Sequence, residues 1–242
     1  IASSIIGQVV GVISVFLKKS NIDQLFVFNK LRMQQVAVKQ ANFPKYTLPH
    51  SFVNTLANNL PIMILAAYFN MTEVGLFSLG LTLGFKPISI FTASINQVFF
   101  QKTSQNTSNG INTYPILKSF CIKTLLLATP FFVLLYFILP STVEWLFGAK
   151  WIKTAEYLQL MLPWFLMALL ASSLCYMPAV VGKQRVALIV EIIYTICRIS
   201  ALLIGVWLKD IKLAVLLFSL VNTLFISGSL TWFLYLAKHQ KL

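Results

Sequence analysis

The stretch Leu81–Phe91, LTLGFKPISIF, places a lysine and a proline side by side within an apolar run that extends from about Val74 to Phe100. An apolar run of this length is typical of a transmembrane helix. A charge in hydrocarbon costs at least about 2.5–3.5 kcal/mol, so Lys86 is expected to have a partner or a task. It lies about twelve residues, or about 18 Å, from either end of the run, which is too far for its side chain to reach the membrane surface.

The composition extends this interpretation from one run to the whole chain. Hydrophobic residues make up 58% of the 242 residues and charged residues 10%, whereas a soluble domain carries about 25% charged residues. The mean hydropathy is +0.81. The apolar runs are continuous rather than alternating segments of about ten residues, which favours helices over a β-barrel. The predicted fold is an all-α integral membrane protein, a polytopic helix bundle.

Scanning for apolar runs of about 20 residues predicts seven transmembrane segments. The first is short and does not begin with methionine, so we expect the chain to start inside a helix, with more protein upstream. The segments are Ile1–Leu17, Tyr46–Phe69, Val74–Phe100, Ile116–Leu139, Tyr157–Tyr176, Val186–Leu208 and Leu213–Ala237.

The distribution of lysine and arginine among the loops predicts the topology. Alternate loops and the segment ends next to them, starting with residues 18–45, together with the C-terminal tail, hold thirteen of these cations, whereas the opposite loops hold only Lys150, Lys153, Lys209 and Lys212. Positive loops remain cytoplasmic, so the 18–45 loop and the C-terminus are predicted on that side. This bias accounts for most of the net charge of +13, and the positive loops would be attracted to anionic lipid headgroups. The charge therefore does not indicate that the protein binds nucleic acid. The apolar positions within the 18–45 loop favour a helix at the membrane surface.

Polar side chains form stripes on two of the predicted helices. In the second segment Ser51, Asn54 and Asn58 recur at a spacing of three and four residues and share one helix face. Such a stripe predicts either the lining of a cavity or hydrogen bonds that hold the bundle together. The third segment carries a second stripe, which consists of Ser78, Thr82, Lys86 and Ser89.

The sixth segment contains Glu191 and Arg198, seven residues apart and therefore on the same helix face. At about 10 Å of axial separation they need not touch. One interpretation is a charge pair that holds helices together. The other is a cavity in which Arg198 and Lys86 receive an anion while Glu191 tunes or couples its binding. The excess of cations favours a phosphate or an acidic sugar as the ligand.

Motifs for catalysis or metal binding are not found in the sequence. It contains no phosphate-binding glycine loop with lysine, no nucleophile elbow and no paired metal-ligating histidines. Cys121, Cys175 and Cys197 lie in or beside apolar runs without metal-ligand spacing, so small buried side chains are predicted. We therefore expect a protein without enzymatic activity, cofactor or metal.

Two long stretches resemble a known family, the Wzx-type oligosaccharide flippases of the multidrug/oligosaccharidyl-lipid/polysaccharide exporter superfamily. The first runs from FPKYTLPHSF to VFFQKTSQ, and the second from FGAKWIKTAE to VVGKQR, with a Gly-x-x-Trp and a Gly-Lys-Gln that match the family pattern. The resemblance implies two six-helix lobes. Residues 1–17 would then end the first lobe, residues 18–45 would form the basic cytoplasmic inter-lobe loop, and residues 46–242 would form the C-terminal lobe.

The resemblance also implies a function. The protein would move an undecaprenyl-diphosphate-linked oligosaccharide across the bacterial inner membrane for O-antigen, capsular or exopolysaccharide synthesis, by alternating access through a cationic cavity. Proton or sodium coupling, and association with polymerase and chain-length partners, stay open. The expected cavity lining is Lys86, Arg198, Glu191, Ser51, Asn54, Asn58 and Thr82.

Three other functions are compatible with a polytopic bundle. A drug and ion antiporter of the same superfamily would need an acidic cavity, but Glu191 is the only acid within the predicted spans. A membrane-embedded polysaccharide polymerase or acyltransferase would carry a large external loop with catalytic residues, and the longest predicted one is the short stretch at residues 140–156. An inert scaffold would not need polar stripes on its helices.

Overall fold

The computed structural model describes residues 43–108 and 112–239. After a π-helical turn, Phe43–Thr47, this part of the chain is a succession of α-helices joined by short connections. The helices are α1 Leu48–Tyr68, α2 Met71–Ser108, α3 Tyr114–Phe147, α4 Ile152–Ser172, the short α5 Met177–Val180, α6 Gln184–Trp207 and α7 Ile211–Lys238. The described residues contain no strand, and the prediction of an all-α polytopic membrane protein is confirmed.

Among the described residues, five of the predicted spans are long and apolar enough to cross a membrane, and they lie in α2, α3, α4, α6 and α7. The predicted segment Tyr46–Phe69 is less apolar than the prediction of a membrane span assumed. Its helix, α1, has 21 residues, but it does not reach the hydropathy of the other five because amides and hydroxyls occupy its first half. The first predicted segment, Ile1–Leu17, and nearly all of the 18–45 loop lie outside the described residues.

The predicted loop at residues 140–156 was wrong. Helix α3 continues to Phe147, a single 3-10 turn Ala149–Trp151 follows, and α4 begins at Ile152. Pro140 lies inside α3 rather than at its end. Helices in a membrane tolerate proline because neighbouring groups satisfy the freed carbonyl, so this proline was a poor boundary signal.

Helix α4 is at the centre of the described bundle, where it contacts α2, α3 and α7. Helix α7 also packs against α6, and α6 packs against α1. The buried residues of α4 include Met161 and Phe165, which are 0% and 1% exposed.

Two hydroxyl groups of the core donate hydrogen bonds to the backbone of a neighbouring helix. Thr154 of α4 donates to the Leu76 carbonyl at 3.2 Å, and Ser219 of α7 donates to the Leu160 carbonyl at 2.7 Å.

Glycines allow close helix contacts at two places. A Cβ atom at Gly84 of α2 would lie 2.2 Å from the Phe165 ring, and one at Gly205 of α6 would lie 2.3 Å from the Ala214 backbone. Small residues let membrane helices approach closely. Because lipid tails are as apolar as the helix surfaces, the hydrophobic effect does not drive these helices together, and close packing has to do so. These contacts position α2 on α4 and α6 on α7.

Acidic residues near the helix ends are paired with lysines. The Nζ atom of Lys153 lies 2.6 Å from Oε1 of Glu73, and the Tyr157 hydroxyl donates to Oε2 of the same carboxylate at 2.5 Å. The Nζ atom of Lys212 lies 2.7 Å from Oε2 of Glu156. These pairs join the starts of α2, α4 and α7, the end of the bundle opposite to the predicted cytoplasmic face.

The prediction of small buried cysteines is only partly correct. Cys121 is buried and Cys197 is half-buried, but Cys175 is exposed. It follows the end of α4, where the chain turns toward α5.

Candidate functional site

A chain of polar side chains connects α1 to α6. The Asn58 amide donates to Oδ1 of Asn54 at 3.0 Å, and the Asn54 amide donates to Oε1 of Glu191 at 3.2 Å. Arg198 of α6 also contacts α1, because its Nη1 atom donates to Oδ1 of Asn58 at 3.4 Å. The four side chains therefore form a closed ring across two helices, which we call the α1/α6 ring.

Arg198 is almost completely buried within this ring, with 2% of its surface exposed. Its Nη2 atom lies 3.6 Å from Oε1 of Glu191, and its guanidinium lies over the Tyr194 ring at 4.5 Å from the centroid. Both charged side chains are long and extend along the helix toward each other, so seven residues of separation still allow an ion pair. The expectation that they need not touch is corrected by this contact.

Two donors of Arg198 remain without a hydrogen bond in the described part of the chain. Its Nε and Nη2 atoms are both buried, and the 3.6 Å contact from Nη2 to Glu191 is longer than a hydrogen bond. Buried donors without an acceptor are costly. The guanidinium is therefore held by charge and by the Tyr194 ring more than by hydrogen bonds.

The network reaches α7 through residues that the sequence interpretation did not select. The Tyr194 hydroxyl donates to Oδ1 of Asn222, and the Asn222 amide donates to the Phe218 carbonyl at 2.6 Å. Asn222 is 0% exposed. An amide side chain in the middle of a long, mostly apolar helix was the available signal for it.

The stripe on α2 has a different environment. Lys86 is exposed, and within residues 43–108 and 112–239 it forms no ion pair. The Thr82 hydroxyl donates to the Ser78 carbonyl at 2.9 Å, and the Ser89 hydroxyl donates to the Lys86 carbonyl at 2.8 Å. These two hydroxyls donate within their own helix, whereas the Lys86 ammonium is exposed and available to a ligand.

The structure brings together part of the predicted lining. Asn54, Asn58, Glu191 and Arg198 form the α1/α6 ring, whereas Ser51 is exposed at the start of α1 and Thr82 bonds within α2. Lys86 does not belong to the ring. The predicted set is thus a closed network on one pair of helices and an exposed cation on another helix.

The α1/α6 ring and the α2 stripe offer amides, the Glu191 carboxylate and two cations, a set that binds anions and sugar hydroxyls. No cluster of three or more His, Cys, Asp or Glu side chains that could hold a metal ion occurs in residues 43–108 and 112–239. Binding and release of a polar ligand is the chemistry that this arrangement supports.

One comparison with known proteins identifies the chain. The model of a family described as polysaccharide biosynthesis protein matches residues 2–156, nearly two thirds of the 242 residues. No curated protein matches the chain significantly. No solved structure matches it significantly. The part of the chain that the structure describes holds five apolar helices of membrane-spanning length, so the chain belongs to the polysaccharide biosynthesis protein family and is a multi-pass membrane member of it.

Proposed function

We propose that the protein is a flippase that moves an undecaprenyl-diphosphate-linked oligosaccharide across the bacterial inner membrane. The single observation that carries this proposal is an exposed Lys86, without an ion pair among residues 43–108 and 112–239, on a polar stripe within an apolar helix. Such a charge is expensive in lipid, so it indicates an aqueous cavity or a ligand. Membership in a polysaccharide biosynthesis family supports a sugar-bearing substrate.

The proposed substrate accounts for both kinds of polar surface. An acidic sugar of the oligosaccharide would contact the Lys86 ammonium, a compact charge with three donors. Sugar hydroxyls would contact exposed groups on α1 such as Ser51 and the Asn58 amide. Arg198 and Glu191 would hold α1 against α6, so the cavity wall would move as a unit.

The mechanism that we propose is alternating access. The described helices would form one lobe, resembling the two-lobe transporters named above, and a second lobe would close the cavity on its other side. Translocation makes and breaks no covalent bond in the substrate, so no enzyme activity, cofactor or metal is proposed. The C-terminus would lie in the cytoplasm, in line with the loop charges.

Coupling and partners are part of the same proposal. Glu191 is 12% exposed in its side chain and is the acid within this network, so it is the candidate for proton or sodium coupling. Polysaccharide polymerase and chain-length proteins are the expected partners in the membrane. A drug antiporter is the rival function, and it would be favoured if Glu191 proved essential while Lys86 proved dispensable.

The experiment is complementation with the full-length protein in a bacterial host that lacks its own flippase. Surface polysaccharide and accumulated lipid-linked repeat units are scored for the wild type, Lys86→Gln, Lys86→Arg and Arg198→Gln at matched membrane levels. We expect the wild type and Lys86→Arg to restore export and Lys86→Gln to accumulate repeat units. Normal export by Lys86→Gln would remove Lys86 from the site, whereas Arg198→Gln reports on the contact between α1 and α6. Failure of the wild type with several sugar backgrounds would contradict the flippase function itself.

A further inference from the structure

A long apolar groove lies between α2 and α3, on the surface of the bundle. Both helices pack against α4, which forms the floor, and the space between them has a volume of about 830 Å³. The α2 wall runs from Leu83 to Phe91, and the α3 wall runs from Lys123 to Phe147. Leu158, Leu162 and Phe165 of α4 are among the floor residues.

The lining indicates a hydrocarbon occupant. Of the lining side chains only Lys123, Thr124 and Thr142 are polar, and the other residues are aliphatic, aromatic, proline or glycine. A sugar or a nucleotide would lose its hydrogen bonds to water in such a groove without replacing them. Helix α3 is largely exposed in this single chain, with only 11% of its most apolar window buried, so the groove is open to lipid.

The length of the α3 wall favours a long hydrocarbon chain over an ordinary phospholipid tail. Lys123 and Phe147 are 24 residues apart on α3, which is about 36 Å at a rise of about 1.5 Å per residue. The hydrocarbon core of a bilayer is about 30 Å thick, and a phospholipid tail fills only its own half. A chain that follows the whole α3 wall must therefore be longer than one leaflet.

The charge in the lining indicates an anionic head. Lys123 is the charged residue of the groove, it is exposed, and it forms no ion pair within the described residues. It lies at the inner end of the α3 wall, on the side with the excess of lysine in the loops. An ammonium group in this position is a point-charge partner for a phosphate at the cytoplasmic membrane surface.

We propose that this groove holds the polyprenyl chain of the transported lipid, with the phosphate of that lipid at Lys123. The inference rests on the proposed function, because that function supplies a carrier whose hydrocarbon chain exceeds one leaflet. Two faces of α2 would then divide the substrate. Leu83, Pro87 and Phe91 face the groove, and Lys86 lies on the stripe with Thr82 and Ser89 on the other side.

The test uses the purified full-length protein in phospholipid nanodiscs and a polyprenyl monophosphate that carries a photoreactive group on its chain. Ala128 lines the groove and is half-buried, so Ala128→Trp fills the groove. Leu126 is 71% exposed and is not a lining residue, so Leu126→Trp is the matched control on the same helix. Lys123→Gln removes the charge alone.

We expect the label to map to peptides of α2, α3 and α4 that line the groove. Ala128→Trp should reduce labelling by about tenfold, the loss expected when roughly two methylene groups can no longer be buried, and Leu126→Trp should not. Unlabelled polyprenyl phosphate should reduce labelling of the wild type, and unlabelled polyprenol, which lacks the phosphate, should reduce it less. With Lys123→Gln the two unlabelled lipids should reduce labelling equally.

Two results would overturn the inference. One is labelling that is equal in Ala128→Trp and Leu126→Trp or absent from the groove. The other is competition by excess phosphatidylglycerol as strong as by polyprenyl phosphate, which would make the groove a site for ordinary membrane lipid. The complementation experiment separates this inference from the proposed function. If the wild-type protein restores export but its groove is not labelled, only the inference is contradicted. If its groove is labelled but it never restores export, only the proposed function is contradicted.

Discussion

Arg198 on α6 and Lys86 on α2 are both cations within apolar helices, yet their surroundings differ. Arg198 is 2% exposed and has a carboxylate 3.6 Å away and a tyrosine ring beneath it. Lys86 is exposed and has no ion pair in the described part of the chain. A buried cation needs its partners to remain in place, whereas an exposed cation can exchange water for a ligand. We infer that Arg198 acts on stability and Lys86 acts on the substrate.

The largest effect on stability should come from Glu191→Gln. This change leaves Arg198 buried without its counter-charge, and a guanidinium cannot release its proton to become neutral. Removing one partner of a buried ion pair costs about 3–5 kcal/mol. Thermal unfolding of the purified full-length protein in detergent measures the loss. Unfolding indistinguishable from that of the wild type would show that water already compensates Arg198, and the distinction between the two cations would weaken.

Arg198→Gln should cost less than Glu191→Gln, although it breaks the same pair. The remaining carboxylate is less deeply buried than the arginine and keeps the Asn54 amide as a donor, and the glutamine amide can still donate to Asn58. The expected loss is about 1–3 kcal/mol, the cost of buried polar groups with incomplete partners. The same unfolding measurement, made on both variants side by side, decides the order. A larger loss for Arg198→Gln would mean that the arginine contributes mainly through packing on Tyr194.

The sequence alone was sufficient for much of the fold but not for the roles of these charges. Hydropathy located the helices because the bilayer demands a minimum apolar length, and a spacing of three or four residues correctly placed Asn54 and Asn58 on one face. It missed Asn222 as a partner of Tyr194, because a contact between helices depends on how they pack. It also could not distinguish Arg198 from Lys86, since burial is not encoded in residue type.

An exposed ion pair provides a reference for charge without burial. The side chains of Lys212 and Glu156 are 59% and 42% exposed, although their atoms are 2.7 Å apart. Lys212→Gln should lower the free energy of unfolding by about 0.2–1 kcal/mol, because water replaces the lost partner. The effect should shrink further in high salt. A loss as large as that of Glu191→Gln would show that charge pairing, rather than burial, determines the effect.

Lys86→Gln should change stability least and export most. Surface substitutions away from packed or paired groups stay within about 0.5 kcal/mol, and the Lys86 side chain has no partner to lose among the described residues. The unfolding measurement and the export assay should therefore disagree for this variant. Ser89→Ala, an exposed neighbour on the same stripe, is the control. Destabilisation comparable to that of Arg198→Gln would assign Lys86 a structural role.

The most direct test asks whether position 86 faces water or lipid. Lys86→Cys is placed in the full-length protein after replacement of Cys121, Cys175 and Cys197, and an anionic, membrane-impermeant thiol reagent is applied to membranes that expose either face. Leu126→Cys on the exposed surface of α3 is the lipid-facing control. Because the thiolate is the reactive form, labelling requires water at the site. We expect the anionic reagent to label position 86 but not position 126, and lipid-linked oligosaccharide to slow that labelling. A cysteine at position 86 that resists the anionic reagent as position 126 does would place Lys86 outside any aqueous cavity and contradict the account.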